Sequence, residues 1–221
     1  MRLRPFISHV LRKCVPFYQA HKTKTLYASH MPVLLGVGGI VAPRRVLELG
    51  SGTISTPAFL KPGLFPSIER LDSLEDDPVW GEKVRRHIGT HPKLRLQQVA
   101  SVPQWAAEAD LAAYDLIFID DSVSAELRAR TIGHVLARAA AEAVVVVHDF
   151  EMPEYQAAVP AGFERLTISS FRPMTGVVWR SERRTAAFEQ LARDIEARKS
   201  LSPLRYSTWR RSLTGSAGHP G

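Results

Sequence analysis

Two short stretches that are apolar at every residue, "LIFI" at 116–119 and "VVVV" at 144–147, constrain the fold more than any other feature of this chain. A strand with one wet face alternates apolar and polar residues, so a strand apolar throughout has to be covered on both faces. Apolar or β-branched runs recur at "RVLEL", "IERLDSL", "LRLQQV", "YDLIFID" and "AVVVVHD", each separated from the next by a segment that can be helical. Such alternation predicts an α/β fold with a parallel sheet and helices on both faces. After the fifth run the pattern changes. "FERLTIS" and "TGVVWR" are separated only by "SFRPM", too short for a crossover and suited to an antiparallel pair. The expected sheet is therefore seven-stranded and mostly parallel, with an antiparallel last strand.

The connections carry their own signals. In "EDDPVWGEKVRRHIG", Asp77 is placed to cap a helix, with Pro78 in its first turn and Gly89 just past its end. "DDSVSAELRARTIGHVLARAAAEA" sets Val123, Leu127, Val135, Leu136 and Ala139 near one helical face, with arginines elsewhere. "SERRTAAFEQLARDIEARK" reads as an amphipathic helix, and the region before Pro43 as one or two helices leading into the first strand. The expected organisation is a basic helical extension over 1–31, one globular domain over 32–180, a helical extension over 181–211 and a disordered tail over 212–221.

With 221 residues, 45% of them hydrophobic, the chain can bury a sizeable core. The apolar segment "MPVLLGVGGIVAP" is too short to span a bilayer, and no secretory h-region is evident near the start. Cys14 is the single cysteine, which excludes an intrachain disulfide and a cysteine-based zinc cage; a cytoplasmic setting is the expectation. The net charge of +7 is concentrated at the ends, since residues 1–47 hold eight Lys and Arg and no acid. Basic ends steer toward nucleic acid or other acidic partners, but no RNA-binding motif accompanies them.

The chemistry is concentrated at "RRVLELGSGTISTPAFL". Glycines directly after a strand let a ligand approach the backbone, and the following helix start offers free N–H groups. A Walker A loop is excluded because no Gly-Lys-Ser or Gly-Lys-Thr follows. A nicotinamide loop would place a glycine at position 55, where this chain has Ser55. Some two dozen residues on, "LDSLEDDPVW" ends a strand on Glu75, where a carboxylate can accept from both ribose hydroxyls.

These residues resemble the class I S-adenosylmethionine-dependent methyltransferases, in particular the small-molecule O-methyltransferases. "VLELGSG" is similar to the family's first motif and "SLEDDPVWGEKV" to its second; the resemblance spans about 32–180 and implies a Rossmann-like fold with S-adenosylmethionine as cofactor. Carried over, Glu48 holds the methionine portion of the cofactor, Gly50, Ser51 and Gly52 form the loop against it, and Glu75 with Asp76 holds the ribose. Relatives often carry a further glycine where this chain has Ile54. Relatives often place an aspartate after the third strand for the adenine; here Ser101 or a backbone group would substitute, and Trp80 and Trp105 are candidates to cover the adenine.

"YDLIFIDDS" resembles the family's fourth strand, whose terminal acid, here Asp120, lies beside the methyl-transfer site. The loop "DDSV" lacks the Asn-Pro-Pro-Tyr pattern of many N-methyltransferases, so an oxygen acceptor is expected. "VVVVHDFEMPEY" brings His148 and Asp149 to the same edge. Catechol-type relatives hold magnesium with two acids and an asparagine. Asp120 and Asp149 match the acids, but Phe150 takes the asparagine position, leaving Asp121 or Glu151 as substitutes. The expectation is no metal, with His148 as the base oriented by Asp120 or Asp149 and a small-molecule hydroxyl as acceptor. Two other readings stay open: a non-catalytic cofactor-binding protein of the same fold, and an RNA 2'-O-methyltransferase using the basic termini.

Overall fold

In the computed structural model, which describes residues 29–122 and 124–199, each of the apolar runs becomes a strand. The chain begins with α1 (Met31–Val41), β1 (Arg45–Leu49), α2 (Ser55–Phe59), β2 (Arg70–Glu75), α3 (Pro78–Ile88) and β3 (Leu94–Gln98). It continues through α4 (Val102–Glu108), β4 (Leu116–Ile119), α5 (Ala125–Arg138), β5 (Val144–His148) and α6 (Pro153–Ala157). It closes with β6 (Glu164–Ile168), β7 (Thr175–Trp179) and α7 (Thr185–Lys199). The expectations for residues 1–28, for Val123 and for the C-terminal tail lie outside the described residues, and the expected boundary at 31/32 falls inside α1.

The seven strands form one sheet in the order β3-β2-β1-β4-β5-β7-β6. β1 to β5 pair in parallel, and β7 runs antiparallel between β5 and β6. Alternate residues supply two separate cores, as strands apolar on both sides require. Val46, Leu116, Phe118, Val144 and Val146 face a layer that includes α1, α2 and α7, while Leu47, Ile117, Ile119, Val145 and Val147 face α4, α5 and α6.

α1 is buried from Met31 to Gly38, as befits a helix apolar on nearly every side. It lies so close to α7 that a Cβ on Gly36 would come within 2.2 Å of a Leu191 methyl. Phe188, Leu191 and Ile195 of α7 belong to the same core, so residue 180, the expected end of the domain, is not a packing boundary. α3 starts as the sequence predicts: Asp77 Oδ1 accepts from the Val79 and Trp80 N–H groups at 2.8 and 3.1 Å, and Gly89 ends the helix at φ +70°. α5 departs from expectation. Its buried face is Arg128, Thr131, Ile132, Val135 and Leu136, while Leu127 is 39% exposed. Among the described residues no helix is long and apolar enough to cross a membrane.

Two glycines should respond to alanine with opposite signs. A Cβ on Gly176 in β7 would lie 2.3 Å from the buried Phe150 ring, so Gly176→Ala should destabilise by about 1–3 kcal/mol through overpacking. Gly133 in α5 has open space at its Cβ position, so Gly133→Ala should stabilise by about 0.5–1 kcal/mol. Urea denaturation of the two variants checks both signs.

Candidate active site

The candidate cofactor and catalytic residues lie at or just beyond the carboxyl ends of the five parallel strands: Glu48 to Gly52 at β1, Glu75 and Asp76 at β2, Ser101 after β3, Asp120 after β4, His148 and Asp149 at β5. Ligand sites of open α/β sheets form at this edge, in the crevice where the strand order reverses, here between β1 and β4. A cavity of about 170 Å³ bounded by Val41, Asp115, Glu142 and Arg184 lies at the opposite ends of the strands, away from these residues.

On the β1 side the loop is held by a relay of hydrogen bonds. The Gly52 N–H donates to Thr56 Oγ1 at 2.9 Å, and Thr56 and Ser73 both donate to Glu48 Oε2 at 2.6 Å. Glu48 is fully buried, and its Oε1 has no hydrogen-bond partner among the described residues. Burial pushes its carboxyl up to about 7, against the opposing pull of the Ser55, Ser73 and Thr56 hydroxyls. Gly50 has φ +87°, and a Cβ there would lie 2.2 Å from the Asp120 carbonyl oxygen, so this glycine is required by the packing of β1 against β4 before any ligand is considered. Gly52 has only the movable Ser55 hydroxyl in the space of its absent Cβ.

Glu75 is folded back onto the loop. Oε2 accepts from the N–H and the hydroxyl of Ser51, both at 3.1 Å, and Oε1 from the Asp76 and Asp77 N–H groups at 3.1 and 2.9 Å. Four donors occupy the roughly four lone-pair sites of a carboxylate. Trp80 Nε1 donates to the Ser51 carbonyl at 2.6 Å, so this indole braces the loop, while Trp105 packs against the core on the α5 side. Ser101 caps α4 by accepting from Gln104 N at 3.4 Å, and Asp76 accepts from Val102 N at 3.4 Å.

The β4 and β5 ends carry a denser network. His148 Nδ1 lies 3.1 Å from Asp120 Oδ1 and 3.6 Å from Asp149 Oδ1, and His148 Nε2 is 2.8 Å from the Ser29 hydroxyl. Burial works against the Asp120 carboxylate, but His148, Arg128 and His30 outweigh it and hold the group below the usual range. Burial likewise disfavours the His148 imidazolium, yet the hydrogen bond and charge of Asp120, with Asp149, raise its pKa. An ionised Asp120 only accepts, so the proton of a neutral His148 sits on Nδ1 and Nε2 is the basic nitrogen.

Three residues enter that the sequence reading missed. Ser29 and His30 reach the site from the start of α1, and Arg128 from the buried face of α5. His30 packs 4.9 Å from both Phe118 and His148, with neither ring nitrogen hydrogen-bonded among the described residues; burial, and next His148, lower its pKa to about 3. Each of the substitutes suggested for the missing asparagine has one carboxylate oxygen engaged elsewhere. Phe150 packs over Gly176, Glu151 Oε2 accepts from Met174 N at 2.8 Å, and Asp121 Oδ2 accepts from the Thr131 hydroxyl at 2.6 Å. Burial raises Asp121 to about 6.

No family model and no curated protein matches the chain. Solved structures do. Cofactor-bound Rv0187 from MTB aligns with a TM-score of 0.52 at 18% identity, over 67% of this chain and 78% of that one. TomG from Streptomyces achromogenes, an O-methyltransferase involved in tomaymycin synthesis and solved with S-adenosylmethionine, gives 0.53 at 16% identity over 78% and 89%. A Staphylococcus aureus protein assigned as a caffeoyl-CoA O-methyltransferase gives 0.55 at 9% identity over 77% and 92%. The chain has the methyltransferase fold. Likeness at such identities is likeness of fold, and the chemistry of this methyltransferase-fold protein has to be argued from its own site.

His30 offers a direct test of that site. A buried imidazole whose two nitrogens have no partner among the described residues costs stability, so His30→Leu should stabilise the protein by about 1 kcal/mol in urea denaturation. A loss of similar size would mean that the ring has a partner in solution.

Proposed function

We propose that this chain is an S-adenosylmethionine-dependent methyltransferase that acts on a hydroxyl of a small molecule. One observation carries the reading: the Glu48 carboxylate is buried at the foot of the glycine loop with Oε1 unpartnered, on the same sheet edge as a histidine whose basic nitrogen is directed by an aspartate.

The residues present suit that cofactor. Among the described residues Glu48 has no donor for Oε1, and it would accept from the cofactor's ammonium. Glu75 would take the ribose hydroxyls, for which the Ser51 hydroxyl has to turn away from Oε2. Asp76 and Ser101 would line the far end, each accepting from a backbone N–H of the first turn of α4. When bound, the cofactor supplies an electrophilic methyl group on a sulfonium. The protein then has to align an acceptor and remove its proton. His148 would take that proton on Nε2, while Asp120 and Asp149 steady the resulting imidazolium. The Ser29 hydroxyl, 2.8 Å from Nε2, occupies the position from which an acceptor hydroxyl would deliver it.

The same contact favours a second reading. Ser29 and His30 cover the His148 ring, which is 5% exposed, as expected of a protein that binds the cofactor without turning it over. S-adenosylhomocysteine binding with no methyl transfer to any member of a phenol, catechol and alcohol panel would select it.

S-adenosylhomocysteine should bind with micromolar affinity, about 8 kcal/mol, and NAD should not. An ammonium partner favours ionised Glu48, so binding lowers its pKa and releases protons near pH 7. Affinity should therefore weaken as pH falls through about 7 and level off above it. Glu48→Gln should abolish this dependence and weaken binding by about 2 kcal/mol. Calorimetry across that range, in buffers of different ionisation enthalpy, measures both.

For turnover, His148→Gln should lower the rate about 10²-fold or more with little change in S-adenosylhomocysteine affinity. Because the His148 pKa is raised, the wild-type rate should climb with pH through a value above that of an ordinary histidine, and the variant should lose that limb. Excess EDTA should leave the wild-type rate unchanged. Wild-type turnover in His148→Gln would exclude the histidine as base.

A further inference from the structure

Proton removal by His148 leaves Arg128 without a role, yet it is the most heavily engaged side chain of the site. Only 4% of it is exposed. Nη1 donates to Asp149 Oδ2 at 2.7 Å, and Nη2 lies 3.3 Å from Asp120 Oδ1 and donates to the Asp121 carbonyl at 2.6 Å. Nη1 also reaches the His148 carbonyl at 3.5 Å, and Nε lies 3.5 Å from Asp121 Oδ1. The guanidinium thus stitches together the carboxyl ends of β4 and β5, with Tyr155 beneath it.

Asp120 and Asp149 end two adjacent parallel strands, and carboxylates brought together in this way repel each other until a cation or a proton joins them. Here the cation belongs to the chain. Of the neighbouring oxygens that could help hold a metal ion, Glu151 Oε2 accepts from Met174 N, Asp121 Oδ2 accepts from Thr131, and Asp121 Oδ1 lies against the guanidinium itself, 3.5 Å from Nε; Phe150 is turned into the core.

We infer that Arg128 is the built-in cation of this site: its guanidinium fills the seat between Asp120 and Asp149 that a divalent ion would otherwise take, and it positions both carboxylates around His148. The catalytic meaning of this rests on the methyltransferase reading; the seat itself does not. Arg128 is a positioning residue. Asp120 Oδ1 is shared between Nη2 and His148 Nδ1, so the carboxylate cannot turn without losing one of them. Asp149 is held by Nη1 while its backbone is in the left-handed region, at φ +56°. Unlike a bound metal ion, a guanidinium offers no open coordination position to an acceptor hydroxyl, which leaves proton removal to His148.

The test is Mg²⁺ titration by calorimetry, without cofactor or acceptor. His30, Asp120 and His148 also bring three donor atoms within 4.8 Å of one another, so the probe is an ion that seeks oxygen and disregards imidazole. The wild-type protein should show no saturable binding tighter than about 1 mM. Arg128→Met should gain a site of about that affinity or tighter. The gain should vanish in Arg128→Met/Asp149→Asn, and Arg128→Lys, which keeps a cation, should behave as wild type. Arg128→Gln, which keeps donors but no charge, replaces the Met variant if that does not fold. A wild-type site at or below about 1 mM, or a folded Met or Gln variant with no gain, would overturn the inference. S-adenosylhomocysteine binding to the wild type is measured separately, so failure of the methyltransferase reading is distinguishable from failure of this one.

Discussion

At the centre of the sheet the loop after β1 and the end of β4 approach so closely that nothing larger than a hydrogen atom fits at Gly50, whose missing Cβ would fall 2.2 Å from the Asp120 carbonyl oxygen. This contact lies where the winding of the chain reverses, β2 and β3 extending to one side and β5, β7 and β6 to the other. The loops beyond β1 and β4 diverge from that point and leave a crevice between them. Asp120 takes its place from Gly50, His148 its orientation from Asp120, and Glu48 is tied to β2 through Ser73. A side chain at position 50 would therefore disturb both halves of the site at once.

The two halves differ in how they handle buried charge. On the β1–β2 side, Glu48 and Glu75 are buried beside hydroxyls and backbone N–H groups, with no basic side chain of the described residues shifting either, and burial raises the pKa of both. On the β4–β5 side, three aspartates surround a guanidinium whose own burial is outweighed by their charges, with that of Tyr155. That half has its cation already. The same fold edge thus carries one acidic cluster without a cation among the described residues and one that is internally balanced, and the division between them follows the Gly50 contact.

Much of this was legible in the sequence because it rests on local chemistry. Asp77, Pro78 and Gly89 mark the limits of α3 by capping rules that need no tertiary context. Arg128 was not legible in the same way, because an arginine on a helix is normally a solvated residue. A signal existed, since positions 128, 132 and 135 share one helical face with Ile132 and Val135, and an arginine in register with an apolar stripe is an arginine facing the interior. Ser29 and His30 left no comparable trace. They are 119 and 118 positions from His148, and nothing local to either announces the meeting.

Glu75 shows the same division within one residue. Its place at a strand end was readable, but whether its oxygens face a ligand or the Ser51 loop depends on donors from another strand connection. By itself the sequence determined the fold class, the seven strands, the antiparallel closure and the edge on which the acids gather, because periodicity and turn chemistry act over a few residues. Only the tertiary structure decided which of those acids are compensated, which nitrogen of His148 is basic and what covers it. Those properties depend on distances between groups that strand order and helix packing bring together, and a charge buried beside a distant residue has no signature in its own neighbourhood along the chain.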